Sequence, residues 1–368
     1  MIKVQITTDR GKSNVSAWTK APADVAKIAD AVGFERVAAG RFWPEGQAFV
    51  RRVFRKLRLE HVLNRLCWKL ELASLRRKFG NNGGELLLQH PLPPPWTVAI
   101  QNIDDIAAMK RCGVRIVVLV HDVGALRGAS KEVGGAGDHS GEIRWFKIAD
   151  RLIVHNDRMA GYVKGIGVSG EVVALRIFDY LVNEGTAYHG VESVRQKNGV
   201  LFVGGFGSGK ARFVQDLKKV NGVVWTLYGH DFNPETMGAG NVGYLGKFDA
   251  SCPPVESGCR FGLVWDGRSV ETCSGPTGEY LRTNNPHKLS LYLSMGLPVI
   301  VWKEAAVAKF VQEHGVGVVV GSLYEIPELI SSMSDETYAL LVKNARDVAD
   351  KLRNGDFTKV ALGIMNYA

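Results

Sequence analysis

One short stretch of the chain gathers groups able to hold a phosphate: Asn285-Pro286-His287-Lys288, at the head of a helix-like run ending at Gly296-Leu297-Pro298. Pro286 suits a first helical turn and Asn285 its cap, so a helix is expected to begin here. Free backbone N–H groups at such a start attract an anion, and Lys288 adds a full charge. A capped helix with chance polar neighbours is the plainer alternative.

Gly204-Gly-Phe-Gly-Ser-Gly-Lys210 is a second candidate, a glycine-rich turn after a strand with a lysine at its mouth and a helix beyond. ATPase loops need Ser or Thr after that lysine, and here Ala211 follows; the dinucleotide fingerprint fails because Lys210 takes its last glycine position. A phosphate contact or a solvated turn remains. His121 and Asp122 follow the apolar run Val114–Val120, which puts them at a strand's carboxyl end, where acid–base groups are useful. Their plainer role is to shape and cap the loop. Asp9 and Asn14, after the first strand-like run, are second-line candidates by the same placement. No Asp-x-Asp pair is present to hold a divalent ion on a diphosphate, so no metal is expected. Fixed positive groups (Lys288, the helix start, and Arg176, Lys210 and Lys247) would take its place.

These residues hang on two series of alternating strand-like and helix-like segments. The first runs from Ile2–Thr7 to Arg151–His155, and the second restarts at Gly199–Val203 and ends in the helices Ile326–Ser331 and Glu336–Leu352. Short β-branched runs separated by helical periods indicate right-handed β-α-β units. The expected fold class is therefore α/β, with two Rossmann-like, doubly wound parallel-sheet domains facing a cleft. The boundary is expected near the polar, glycine-containing stretch 179–198, giving domains 1–185 and 186–368, with the final helix able to return to the first.

The 368 residues are 46% hydrophobic and 23% charged, an ordinary globular composition. No apolar run approaches a membrane span, and the chain opens directly into Ile2–Ile6 with no apolar leader, so the cytoplasm is the expected location. Five cysteines without a Cys-x-x-Cys pair point to reduced thiols. The net charge of +9 calls for an anionic partner. Between Arg51 and Lys78 ten Lys/Arg face two Glu, and Leu59, Leu63, Leu66 and Leu70 recur at helical spacing. Such a helix either packs its stripe on its own domain or lies on the inner face of an anionic membrane. Nucleic acid is disfavoured, because Trp68 is the sole aromatic between Arg55 and Lys78.

Several pieces together resemble the bacterial family of glucosyltransferases that extend O-linked sugars on serine-rich adhesins, with β-1,6-galactofuranosyltransferases. They are Ser16-Ala-Trp-Thr-Lys-Ala21 with Asp24-Val25, His121-to-Arg127, Ala149-Asp-Arg-Leu-Ile-Val-His-Asn156, Phe178-Asp-Tyr180, Gly262-Leu-Val-Trp-Asp-Gly267 and the Asn285-to-Val301 block. The last is the most specific. The resemblance implies a GT-B fold, a UDP-sugar donor, a saccharide acceptor on protein or lipid, and a homo-oligomer; with the UDP-sugar as substrate and no Asp-x-Asp pair, no cofactor is expected. In that frame donor contacts fall on Arg176, Phe206, Gly207, Ser208, Lys210, Tyr228, Lys247 and Asp266, and on Asn285, His287, Lys288 and Leu289. Acceptor contacts fall on Thr8, Asp9, Asn14, Ser16 and Arg127, and catalysis on His121 and Asp122. The loop Arg127–Gly141 and the basic helix depart from the family, which leaves the acceptor open. Glu271 and Glu279 have the spacing of retaining enzymes, but the register fails, since five residues before Gly296 stands Leu291. Inversion is therefore expected. The alternative is a non-catalytic GT-B homologue that stabilises a true transferase, against which Asn285, His287 and Lys288 all stand in place.

Overall fold

The computed structural model describes residues 1–7, 17–38, 59–91, 103–127, 139–207, 209–237 and 240–366. Two six-stranded, wholly parallel sheets carry the fold. The first comprises β1 (Ile2–Thr7), β2 (Glu35–Ala38), β3 (Gly84–His90), β4 (Val114–Val120), β5 (Arg151–Val154) and β6 (Glu171–Ala174), in the order β2-β1-β3-β4-β5-β6. The second comprises β7 (Gln196–Gly205), β8 (Val224–His230), β9 (Val242–Tyr244), β10 (Cys259–Val264), β11 (Val299–Trp302) and β12 (Gly317–Val320), in the order β12-β11-β10-β7-β8-β9. Strands covered on both faces should read as continuous apolar runs, and β3, β10 and β11 are buried at every residue. In both sheets the strand order reverses partway, and the crevice at that switch point, beyond the carboxyl ends, is where such sheets hold ligands.

Helix α1 (Ala17–Ala31) follows β1, and α2 (Leu59–Phe79) precedes β3. The expected single stripe on α2 is corrected by the structure. Trp68, Leu72, Leu75 and Phe79 are buried, while Val62, Leu66 and Leu70 are 63%, 54% and 62% exposed. Apolar residues occupy two opposed faces of this helix, so a stripe read through Leu66 and Leu70 picks out the side turned to solvent. Among the described residues no helix is long and apolar enough to cross a membrane. All five cysteines are free thiols.

The chain passes between the sheets twice. After β6 it runs through Phe178-Asp179-Tyr180 into β7, and at its end α12 (Asp335–Asn354) and α13 (Asp356–Ala361) bring it back against α1. The Asp179 carboxylate accepts the N–H groups of Phe357 (3.2 Å) and Thr358 (2.6 Å), closing the exposed amides at the start of α13. Arg151 donates to the Ala361 carbonyl from the other side.

Candidate functional site

Between the carboxyl edges of the two sheets lies a cleft of about 390 Å³. From the first sheet it is lined by His121, Asp122, Arg127 and His155, and from α1 by Lys20 and Pro22. From the second come Gly204, Gly205, Lys210, Lys247 and Asp266, with Asn285, His287 and Lys288 at the head of α9 (His287–Ser294).

At the second sheet's switch point, between β7 and β10, Asp266 collects two cations. It is almost wholly buried. Lys288 Nζ donates to Asp266 Oδ1 at 2.7 Å and to the Trp265 carbonyl at 2.9 Å, and it sits 4.5 Å from the centroid of the Phe202 ring. Lys210 Nζ, on a side chain 44% exposed, lies 3.7 Å from Asp266 Oδ2. Burial lowers the Lys288 ammonium from its ordinary value, and Asp266 opposes that. Two of the three Lys288 donors are therefore spent inside the protein, and of these two lysines Lys210 has the freedom to reach a ligand. The glycine-rich turn leads into a 3₁₀ segment, Arg212–Lys219, rather than the expected α-helix, and the Lys210 carbonyl is taken by Gly267 N–H at 2.7 Å. That turn has no α-helical start to offer an anion.

The head of α9 also differs from expectation. Pro286 is the N-cap residue, with ψ 131°, and no side chain caps the helix. Asn285 instead reaches across the cleft floor. Its Nδ2 donates to the carbonyls of His155 (2.7 Å) and Arg176, its Oδ1 accepts from Asn156 Nδ2 (2.7 Å), and its backbone N–H donates to His155 Nδ1 (2.9 Å). Since that backbone group can only donate, His155 Nδ1 holds a lone pair and its proton sits on Nε2. Asn285 thus ties the two domains together. Arg176 takes part through its carbonyl, in a left-handed backbone conformation (φ 74°), and its exposed side chain is not among the cleft-lining groups.

On the first sheet, Asp122 is held by two side chains, and Glu142 secures the turn that follows it. Tyr280, from α8 (Gly275–Tyr280), donates its hydroxyl to Asp122 Oδ1 at 2.7 Å and accepts the Val123 N–H at 3.1 Å. Arg127 donates to Asp122 Oδ2 at 2.8 Å. Glu142 closes the start of the short turn Gly124–Arg127 through the N–H groups of Gly124 and Ala125 and a contact with His90 Nε2 at 3.1 Å. Burial pushes Glu142 upward, but these hydrogen bonds outweigh it and hold the carboxyl below its ordinary value. His121 stacks on Phe178, with ring centroids 5.3 Å apart and planes 12° from parallel.

The remaining expectations sort by position. Phe206 packs among Phe202, Phe232 and Tyr244; Tyr228 stands edge-on to Phe248; Leu289 is core. Gly207 lies against Asp231, where an added Cβ would come within 2.8 Å of that side chain. Phe206, Gly207, Tyr228 and Leu289, like the Arg176 side chain, do not line the cleft. Thr8, Asp9, Asn14, Ser16 and Ser208 lie outside the described residues. Sequence reasoning missed Lys20, His155 and Tyr280. Lys20 forms a buried ion pair with Asp24 and sits 4.5 Å from the centroid of the Tyr180 ring. Its only signal was the four-residue spacing to Asp24.

Burial also leaves a titration signature. It lowers His155 and His189 to about 4 and His287 to about 3, and raises Asp179 to about 7 against the pull of two backbone N–H groups. Unfolded histidines take up protons below about pH 6.5 while these three do not, so their contribution is complete above that pH and drains as pH falls. Asp179 acts oppositely, its contribution being lost as pH rises through 7. Three groups less one leaves two protons, each tilting stability by about 1.4 kcal/mol per pH unit. The urea midpoint is therefore expected to drop steeply between pH 6.5 and 4.5; a flat profile would show these imidazoles to be solvated.

Comparisons with known proteins agree with this architecture. Residues 3–177 match the family "Glucosyltransferase 3-like, N-terminal domain" and residues 200–365 the corresponding C-terminal domain. The beta-1,6-galactofuranosyltransferase WbbI of Escherichia coli K12 is 38% identical over 250 residues, 67% of this chain and 70% of the relative. Glucosyltransferase 3 of Streptococcus gordonii is 36% identical over 131 residues, covering 35% of this chain and 37% of the relative. Among solved structures, sucrose-phosphate synthase from Thermosynechococcus elongatus superposes with a TM-score of 0.62 at 13% identity, covering 99% of this chain and 97% of that one, a likeness of fold.

Proposed function

Because the chain belongs to the glucosyltransferase 3-like family of GT-B glycosyltransferases, we propose that it moves a hexose from a UDP-sugar to a saccharide acceptor, with inversion and without a metal ion. The hexose is of the glucose or galactofuranose/galactose class, and the acceptor is carried on a glycoprotein, an exopolysaccharide or a lipid-linked precursor. One observation carries this reading: cations of the second domain and an imidazole of the first face the same cleft. Lys210 and Lys247, with Lys288 behind them, would neutralise the charge that develops on a departing UDP. His121 would take the proton of the attacking hydroxyl, the hydroxyl oxygen forming the new bond to the anomeric carbon as the bond to UDP breaks. Asp122, already engaged by Tyr280 and Arg127, is better suited to fixing the loop that presents His121.

The domain division near residues 185–186 and assembly as a homo-oligomer belong to the same proposal. So does contact with the inner face of an anionic membrane, for which the exposed Val62, Leu66 and Leu70 of α2 lie among the exposed Lys69, Arg76 and Arg77. Sedimentation with anionic vesicles, abolished by salt, checks that contact. The deciding experiment is calorimetric titration with UDP, ADP, GDP and UDP-sugars, with and without EDTA. Binding of UDP that EDTA leaves untouched is the expected result. Loss of binding in EDTA would overturn the metal-independent reading, and absence of any nucleotide binding would overturn the transferase mechanism.

A further inference from the structure

We infer that Gln89 is a positioning residue that sets which ring nitrogen of His121 acts as base, an inference that rests on the role proposed for His121. Gln89 is the penultimate residue of β3 and pairs in register with Leu119 of β4, the strand that leads into His121. It is buried, 8% exposed, and sits behind the cleft rather than in its lining. Its amide bridges two groups. Nε2 lies 3.1 Å from the Pro22 carbonyl of α1, and Oε1 lies 2.6 Å from His121 Nε2.

Only one arrangement of protons satisfies both contacts. The Pro22 carbonyl has no hydrogen to give, so the amide end facing it must be the NH₂. Turning the amide over would set two carbonyl oxygens against each other about 3 Å apart, with no proton between them. The Gln89 carbonyl therefore faces the imidazole. Because a carbonyl only accepts, His121 Nε2 carries the hydrogen, and in the neutral ring the lone pair is on Nδ1. The stack on Phe178 fixes the ring plane, and the His121 N–H to the His90 carbonyl (2.6 Å) extends the β3–β4 ladder to the base itself. Nδ1 is shielded from solvent, so the acceptor hydroxyl must displace what covers it before handing its proton to that nitrogen. The cation so formed keeps its Nε2–H on the Gln89 carbonyl, whose dipole favours the charge without supplying a counter-ion. A carboxylate in that place would trap the proton more firmly. An amide leaves the base ready to pass it on.

The test pairs spectroscopy with kinetics on the full chain. In protein labelled with ¹⁵N-histidine, with His121 assigned by comparison with His121→Gln, the wild type is expected to show the Nε2–H tautomer. Gln89→Leu is expected to show a mixture of tautomers. Its kcat should fall about tenfold or more while the KM for the donor stays within about twofold, because the loss is of a correctly placed base and not of binding. The acid limb of its pH–rate profile should move to lower pH, since the cation has lost its acceptor. Gln89→Glu keeps an acceptor opposite Nε2–H, so it should keep the Nε2–H tautomer, but its carboxylate should hold the cation and move the acid limb of the pH–rate profile to higher pH, the opposite of Gln89→Leu, which separates positioning from lost packing. A wild-type ring protonated on Nδ1, or a Gln89→Leu protein with mixed tautomers and full turnover, would overturn the inference. Full turnover in His121→Gln would instead remove His121 from the chemistry and leave the tautomer assignment standing on the spectra alone.

Discussion

Lys288→Ala is expected to lose on the order of 3–5 kcal/mol of folding stability together with its turnover, whereas Lys210→Ala loses turnover and keeps its stability. The two lysines share one carboxylate and differ in what surrounds them. Lys288 is buried against Phe202, and its removal strands the buried Asp266 with a partner 3.7 Å away on a half-exposed side chain. A buried charge left so poorly paired costs far more than the pair contributed. Lys210 leaves nothing stranded, since Asp266 retains Lys288 at 2.7 Å. If its ammonium is aimed at the leaving diphosphate, its loss should cost about 2–4 kcal/mol in the transition state, roughly thirtyfold to a thousandfold in kcat. Urea denaturation and steady-state kinetics on both proteins separate the effects. Unchanged stability in Lys288→Ala would mean that water or Lys210 takes over the pairing of Asp266, and unchanged kcat in Lys210→Ala would remove it from the diphosphate site.

The contrast also sets what the chain alone discloses. Parallel strands buried on both faces are written as runs such as Val114–Val120, so the two-sheet architecture and the ends at which ligands gather are legible from local pattern. His121, Asp122, Asn285, His287 and Lys288 were legible because they follow those runs or open a helix. What Asn285 does there was not legible. An asparagine before Pro-His-Lys has the local signature of a cap, and only the approach of His155 and Arg176 from the other domain turns its side chain away from the helix. Helix α2 misled for a related reason. Apolar residues on both of its faces satisfy a helical period, and which face is buried depends on the sheet beneath. Gln89 and Tyr280 gave no signal, since each matters through a partner 32 and 158 positions away in the chain.

The division of labour between the domains leads to the remaining large effect. His121→Ala should lower kcat by about a hundredfold to ten-thousandfold while leaving the Kd for UDP within a few-fold of the wild type. The imidazole belongs to the first sheet's edge, joined to Gln89 and Phe178, whereas Lys210, Lys247 and the Lys288–Asp266 pair belong to the second. A ligand that stops at the diphosphate should register only the second set. Tyr280→Phe supplies the control within the same loop. It removes the one hydroxyl by which the second domain holds Asp122 and the Val123 N–H, so it should loosen the presentation of His121 without removing the base, with a smaller loss of kcat than His121→Ala. A collapse of UDP affinity in His121→Ala would make the imidazole a donor-site contact. Equal losses in the two variants would shift the catalytic role from the imidazole to the Asp122–Tyr280 link across the cleft.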